Sequence, residues 1–172
     1  YTSDIFDEET LDLVVERDIH VNCGSPDMIE QLGARVSGRE ITLRINPGFG
    51  HGHSQKTNTG GEQSKHGIWH EQLDECVELA RRNDLKVAGL HLHIGSGTDF
   101  EHLSRVCGAM EELAPRVGDT LHSISAGGGL PIRYTEGDQE IDIDEYFRLW
   151  DDSRKRIEKT LGRKIDLEIE PG

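Results

Sequence analysis

The sequence predicts an α/β protein built from parallel β/α units and arranged as an incomplete (β/α)8 TIM barrel. Short apolar runs alternate with amphipathic helical segments along the whole chain. Glycine or polar clusters follow the strands at 24–25, 46–47, 93–97, 126–129 and 170–172. A barrel builds its site from all such strand ends, whereas a doubly wound sheet uses only those beside a switch point. Five clusters favour the barrel, and five or six strands are too few to close it.

The strands are predicted from short runs rich in Val, Ile and Leu, at residues 19–22, 41–45, 86–94, 121–125 and 165–169. The helices are predicted from apolar residues at helical spacing, at residues 7–16, 26–37, 71–83, 100–113 and 142–161. Ser25 before Pro26 is typical of a helix start, because the hydroxyl can cap the first turn and proline fits its first position. Gly38 follows the end of that helix.

Residues 49–67 interrupt this alternation with a stretch of no periodicity, rich in His, Gly, Ser and Thr. Structureless connections of about 20 residues are usually functional or mobile. We therefore expect a polar, mobile flap near the entrance of a site.

Composition and charge narrow the class of protein. The chain has 33 acidic against 19 basic residues and a net charge of −14, which argues against nucleic acid or an anionic membrane as a partner. No apolar run approaches the roughly 20 residues of a membrane span, and the start lacks a secretory signal. Cys23, Cys76 and Cys107 are odd in number and widely spaced, as expected of reduced, buried thiols in a cytoplasmic protein.

The chain ends also suggest a piece of a longer protein. There is no initiator Met, and the sequence stops just after the last predicted strand. We therefore expect residues 1–172 to be one part of a barrel whose early strands lie elsewhere.

The stretch GLHLHIGSG, residues 89–97, combines a strand, a glycine-serine turn and the start of a helix. His93 offers a flat face, and the turn offers bare N–H groups and a hydroxyl beside a helix N-terminus that favours an anion. This combination suits a phosphorylated ring. The alternative for His93, taken alone, is a satisfied histidine of the core.

Two further strand ends fit the same chemistry. Residues 127–129 are all glycine, which permits close approach of backbone to a ligand and can form an anion nest; the alternative is a tight turn between strand and helix. Glu170 ends an apolar strand, and a carboxylate beside a pyridine nitrogen would keep that nitrogen protonated. The alternative for Glu170 is a solvated carboxylate or an ion pair with Arg44.

Together, GLHLHIGSG, SAGGGL and EIEPG resemble the motifs of the fold-type III pyridoxal-phosphate enzymes, the alanine racemase-like barrels. Within that group, LRINPGFGHGHSQKTNTGGEQSKHGIW and HIGSGTDFEHLSRVCGAM resemble segments of the bacterial diaminopimelate decarboxylases. The resemblance covers residues 1–172.

The resemblance implies a set of residues that bind pyridoxal 5'-phosphate. His93 would stack on the pyridine ring, and Glu170 would pair with the ring nitrogen. Arg44 would lie near the cofactor, with an ion pair to a neighbouring strand as the alternative. The phosphate would be held by Ser96, by the amides of Gly127, Gly128 and Gly129, and by the Pro171-Gly172 end of the EIEPG motif. Gly129 is the expected direct contact.

The resemblance also implies the activity of a larger enzyme. That enzyme would decarboxylate meso-2,6-diaminopimelate to L-lysine and CO2, the last step of lysine biosynthesis, as a homodimer with shared active sites. Its Schiff-base lysine would lie upstream of Tyr1, and a catalytic Cys would lie in a C-terminal β-domain. We therefore expect no catalytic residue within this stretch and no activity from it alone.

Three alternatives stay open at this point. One is a decarboxylase of another basic amino acid (ornithine, arginine or carboxynorspermidine) or an amino-acid racemase. Another is a non-catalytic barrel that only binds pyridoxal phosphate. A third is a zinc site formed by His51, His53, His66, His91 and His93. Because no Cys or Glu accompanies these histidines at set spacings, we predict no metal.

Overall fold

The computed structural model describes residues 1–49, 64–93, 100–128, 135–136 and 142–170. The strands within these residues are β1 Thr2–Ser3, β2 Val21–Cys23, β3 Glu40–Asn46, β4 Ile68–Trp69, β5 Lys86–Leu92, β6 Ser123–Ser125 and β7 Asp166–Glu168. The helices are α1 Glu8–Glu16, α2 Pro26–Gly33, α3 Leu73–Arg82, α4 Phe100–Val117 and α5 Ile143–Leu161, with a 3-10 turn at His70–Gln72 before α3.

All these strands pair in parallel in one sheet of order β1-β2-β3-β5-β6-β7, and the short strand β4 pairs with the carboxyl end of β3. A helix or a longer connection separates each strand from the next, which is the arrangement that parallel pairing requires. The parallel β/α units expected from the sequence are therefore confirmed.

The register divides the sheet into an apolar and a polar face. Arg44 of β3 pairs with His91 of β5, and His91 in turn pairs with Ser125 of β6. Cross-strand neighbours point to the same side of a sheet, so these polar residues share one face. The alternate residues pack with the helices in a single buried core that includes Val21, Leu43, Leu90, Ile124, Ile29, Met110 and Trp150.

Side-chain caps begin three of the helices. Ser25 Oγ accepts from the N–H of Met28 at 3.3 Å, which confirms the predicted start of α2. Asp7 and Asp142 cap α1 and α5 in the same way. Helix α2 ends at Gly33, earlier than predicted, yet Val36 still packs against the core beyond it.

Strands β1 and β4 were not predicted, because two residues are too few for an alternating pattern to be visible. The three cysteines are free thiols buried in the core, as expected. Within the described part of the chain, the helices are too short or too polar for any of them to cross a membrane.

Candidate functional site

The carboxyl ends of β3, β5, β6 and β7 come together on the polar face of the sheet. His91 and His93 belong to β5 and to the residue that follows it, and Gly127-Gly128 follows β6. Glu170 follows β7, and its N–H donates to the carbonyl of Gly127 at 3.0 Å. The structure thus places together residues that are far apart in the sequence, such as His91 and Glu170.

The loop after β6 approaches His93 closely. The N–H of Gly128 donates to Nδ1 of His93 at 3.0 Å. Gly127 has a φ of +67°, and a Cβ at that position would lie 2.5 Å from the carbonyl oxygen of Leu92. Only glycine meets both demands, the left-handed backbone and the missing side chain. The glycines therefore serve the contact between loop and imidazole.

The hydrogen bonds of this loop affect whether the amides of residues 127–129 can bind phosphate, as the resemblance implied. The amide of Gly128 is used by His93, and the amide of Gly127 donates to Ser125 Oγ at 3.3 Å. In this arrangement both N–H groups already donate within the protein, so neither is free to donate to a phosphate oxygen. Gly129, the expected direct contact, lies outside the described residues, as do Ser96, Pro171 and Gly172.

Glu170 turns its carboxylate toward the two histidines. Its Oε1 lies 3.4 Å from Nε2 of His91. Ligand atoms of His91, His93 and Glu170 all lie within 4.8 Å of one another, a group that could hold a metal ion. The spacing of these residues in the sequence gives no sign that Glu170 lies beside the two histidines. Of the other histidines considered for zinc, His51 and His53 lie outside the described residues.

His91 is the most deeply buried polar group of the site, with 2 % of its surface exposed. Its Nδ1 lies 2.8 Å from Nδ2 of Asn22 on β2. Burial, together with the charge of Arg44 and the neighbouring His93, lowers the pKa of His91 from 6.5 to about 3. The imidazole is therefore neutral at neutral pH.

The pKa of His93 is also lowered, first by burial and then by Arg44, while Glu170 opposes the shift. Arg44 lies on the same face of the sheet as both histidines. It makes no ion pair with any described residue, so the alternative of an ion pair to a neighbouring strand is not observed there. The site holds two neutral imidazoles, one carboxylate and one guanidinium.

A second set of contacts joins Asp4 and Gly67, which the sequence pattern did not single out, to His66, one of the histidines considered for zinc. Asp4, after β1, accepts from the N–H of Gly67 at 3.0 Å, and its other oxygen lies 2.7 Å from Nδ1 of His66. A Cβ on Gly24 would lie 2.1 Å from Asp4, so glycine makes room for this carboxylate. Asp4 therefore ties the chain before β4 to the ends of β1 and β2.

Comparison with known proteins identifies the family. The sequence matches the family described as "Pyridoxal-dependent decarboxylase, pyridoxal binding domain" over residues 1–172. The chain belongs to this family. It is 54 % identical over 172 residues to the diaminopimelate decarboxylase of Streptomyces coelicolor, covering all of this chain and 39 % of that protein. It is 50 % identical to the diaminopimelate decarboxylase of Escherichia coli K12, covering 41 % of it. The chain thus spans about two fifths of the curated relatives it matches.

Solved structures agree on the fold. A crystal structure of diaminopimelate decarboxylase superposes with a TM-score of 0.94 at 50 % identity, covering all of this chain and 41 % of that one. The diaminopimelate decarboxylase of Helicobacter pylori, complexed with L-lysine, gives 0.78 at 22 % identity over 99 % of this chain and 44 % of that one, which shows the fold alone. The expected incomplete barrel of the alanine racemase-like, pyridoxal-phosphate type is confirmed.

The described residues fit the cofactor of this family, pyridoxal phosphate. His93 presents an imidazole held by Gly128, and Glu170 directs a carboxylate into the same space. A flat ring with a basic nitrogen needs these two kinds of group, a face to stack on and an acceptor for its proton.

Proposed function

We propose that these 172 residues are the cofactor-binding part of a diaminopimelate decarboxylase, which converts meso-2,6-diaminopimelate to L-lysine and CO2. The observation that carries the proposal is identity of 50 % or more to diaminopimelate decarboxylases over the whole chain. This identity favours diaminopimelate over the other basic amino acids as the substrate.

When bound, pyridoxal phosphate supplies an electron sink for the electron pair left by the departing carboxylate. The Glu170 carboxylate would hold a proton on the ring nitrogen, which strengthens that sink. His93 would stack on the ring as a neutral imidazole and so add no charge that competes for Glu170. Arg44, whose guanidinium lowers the pKa of both histidines, helps to keep them neutral.

The phosphate group would be held by residues beyond the described ones, Ser96, Gly129 and the Pro171-Gly172 end. Gly127 and Gly128 would act indirectly, since their amides already bind Ser125 and His93. We propose further that the Schiff-base lysine and a catalytic cysteine lie outside residues 1–172. The complete protein would then be a cytoplasmic homodimer that shares its active sites, with a small amino acid as substrate.

The test is CO2 release by the complete protein containing these residues, supplied with pyridoxal phosphate. We expect release from meso-diaminopimelate and none above background from L-ornithine or L-arginine. Preferential release from another basic amino acid, or bound cofactor without any release, would contradict the proposal and point to the alternatives.

A matched pair of variants tests the role of Glu170. Glu170→Gln keeps the size of the side chain but removes its charge, so kcat should fall by about 100-fold or more. Glu9→Gln is the control, because Glu9 makes the same change of charge at an exposed position on helix α1, away from the polar face of the sheet. Equal activity of the two variants would contradict the assignment.

A further inference from the structure

The side chain of His91 lies between Asn22 and Glu170 and faces each through a different ring nitrogen. Nδ1 lies 2.8 Å from the amide nitrogen of Asn22. Nε2 has no hydrogen-bond partner of good geometry among the described residues, and the group nearest to it is Glu170 Oε1, at 3.4 Å. The imidazole therefore connects a buried amide on β2 to a carboxylate after β7.

The amide of Asn22 decides which nitrogen of His91 carries the proton. An amide nitrogen only donates, so Nδ1 accepts and the proton of the neutral ring resides on Nε2. Rotating the amide would reverse this and turn a bare Nε2 lone pair toward a carboxylate oxygen. In a buried position two facing acceptors repel each other. The arrangement with Nε2–H directed at Glu170 is the favourable one.

Glu170 needs such a partner. Its backbone is fixed by the hydrogen bond to Gly127, but 52 % of its side chain is exposed. A glutamate side chain loses considerable rotamer entropy when it is held in one orientation. The ring N–H of His91, whose nitrogen lies 3.4 Å from Oε1 of Glu170, is placed to restrain it.

We propose that Asn22 and His91 form a positioning relay that aims the Glu170 carboxylate at the ring nitrogen of the cofactor. The relay rests on the proposed function for its cofactor. Because His91 is neutral, it donates one hydrogen bond without neutralising Glu170, and the negative charge stays available to the ring nitrogen. A charged lysine or arginine at position 91 would orient the carboxylate but also compete for it.

The relay makes a direct prediction about the protonation of His91. In 15N-labelled complete protein free of cofactor, NMR should show His91 with a proton on Nε2 and a bare Nδ1 over roughly pH 5 to 8. The resonance is assigned by its loss in the His91→Gln variant. A proton on Nδ1, or a doubly protonated ring within that range, would overturn the relay.

Two variants test the consequence for the cofactor-loaded protein. His91→Leu removes the donor, and kcat should fall about 10- to 100-fold with little change in the KM for substrate. His91→Gln retains an N–H of similar reach and should restore most of the loss. It should also keep a cofactor absorption spectrum like that of the unaltered protein, whereas His91→Leu shifts it. Equal behaviour of the Leu variant and the unaltered protein, or no rescue by Gln, would overturn the relay.

The two proposals fail in different ways. An unaltered protein that binds no cofactor or releases no CO2 contradicts the proposed function. The protonation of His91 is measured in the unaltered protein without cofactor, with His91→Gln used only to assign the resonance. The measurement therefore tests the relay even if the proposed function fails or His91→Leu does not fold.

Discussion

The backbone N–H of Gly128 donates a 3.0 Å hydrogen bond to Nδ1 of His93. This bond joins the ends of β5 and β6 and fixes the plane of the imidazole. It also leaves Nε2 as the nitrogen that carries the proton in the neutral ring, the form that burial favours by lowering the pKa of His93. The stacking face that the cofactor would use is thus set before any ligand binds.

The approach of the two loops depends on glycine at position 127. Gly127→Ala places a Cβ 2.5 Å from the carbonyl oxygen of Leu92 at a φ of +67°, and we expect a loss of about 2 kcal/mol or more in the free energy of unfolding. Urea-induced unfolding measures this loss in the free energy of unfolding. The control is Gly108→Ala in helix α4, where a Cβ meets nothing within 4 Å and should stabilise the chain by about 0.5 to 1 kcal/mol. A Gly127→Ala variant as stable as the unaltered chain would contradict the packing.

The tie between Asp4 and the chain before β4 is expected to contribute measurably to stability. Asp4→Ala leaves the N–H of Gly67 and the His66 ring without their acceptor, and the free energy of unfolding should fall by about 1 to 3 kcal/mol. Hydrogen exchange at the Gly67 amide should accelerate. Asp12→Ala, which removes only an exposed ion pair with Arg35, is the control and should cost less than about 1 kcal/mol. Equal costs would show that the Asp4 contacts do not form.

The stability of the chain should fall with acid because of His91. The unfolded chain binds a proton at His91 below pH 6.5, whereas the folded chain resists it down to about pH 3. The stabilisation is therefore complete above 6.5 and is lost as the pH falls through that window, at up to about 1.4 kcal/mol per pH unit. The free energy of unfolding of His91→Gln, measured between roughly pH 6.5 and 5, should fall less steeply than that of the unaltered chain.

The matched control for this pH effect is His122→Gln, because His122 is 54 % exposed and lies at the opposite end of the sheet, beside Glu40. If the free energy of unfolding changes equally with pH in the unaltered chain and in both variants, His91 does not cause the loss of stability in acid.

The three cysteines should be unreactive in the folded chain. Burial raises the pKa of Cys23 and Cys107 to about 12 and that of Cys76 to about 11. Because the thiolate is the reactive form, an aromatic disulfide reagent should label none of them at mildly alkaline pH until denaturant is added. Labelling of any cysteine in the native chain would contradict its burial.

Much of the fold could be predicted because local pattern and tertiary structure agree. The run around Leu90 and Leu92 alternates with histidines, and in the structure its apolar residues face the helices while its polar ones face the site. The start of α2 at Ser25 and Pro26 was equally visible. Strands β1 and β4 were not, since their two-residue lengths come from pairing with neighbours and leave no periodic trace.

The site was only partly predictable for a related reason. His93 and Glu170 follow strands, and in a parallel sheet that position alone brings them to one edge. Asn22 and His91 lie 69 residues apart, and Asp4 and His66 lie 62 apart. Their contacts depend on the register between strands, which no local pattern encodes. The use of the Gly127 and Gly128 amides inside the protein likewise follows only from the loop geometry.

Glu170 and His93 are proposed to frame the ring of pyridoxal phosphate from two sides. The most direct measurement is a crystal structure of the complete protein with the cofactor bound. We expect the pyridine nitrogen to lie within hydrogen-bond distance of the Glu170 carboxylate, the His93 imidazole to stack on the ring, and His91 to remain bonded to Asn22. A Glu170 side chain turned to solvent, or a ring bound away from His93, would contradict it.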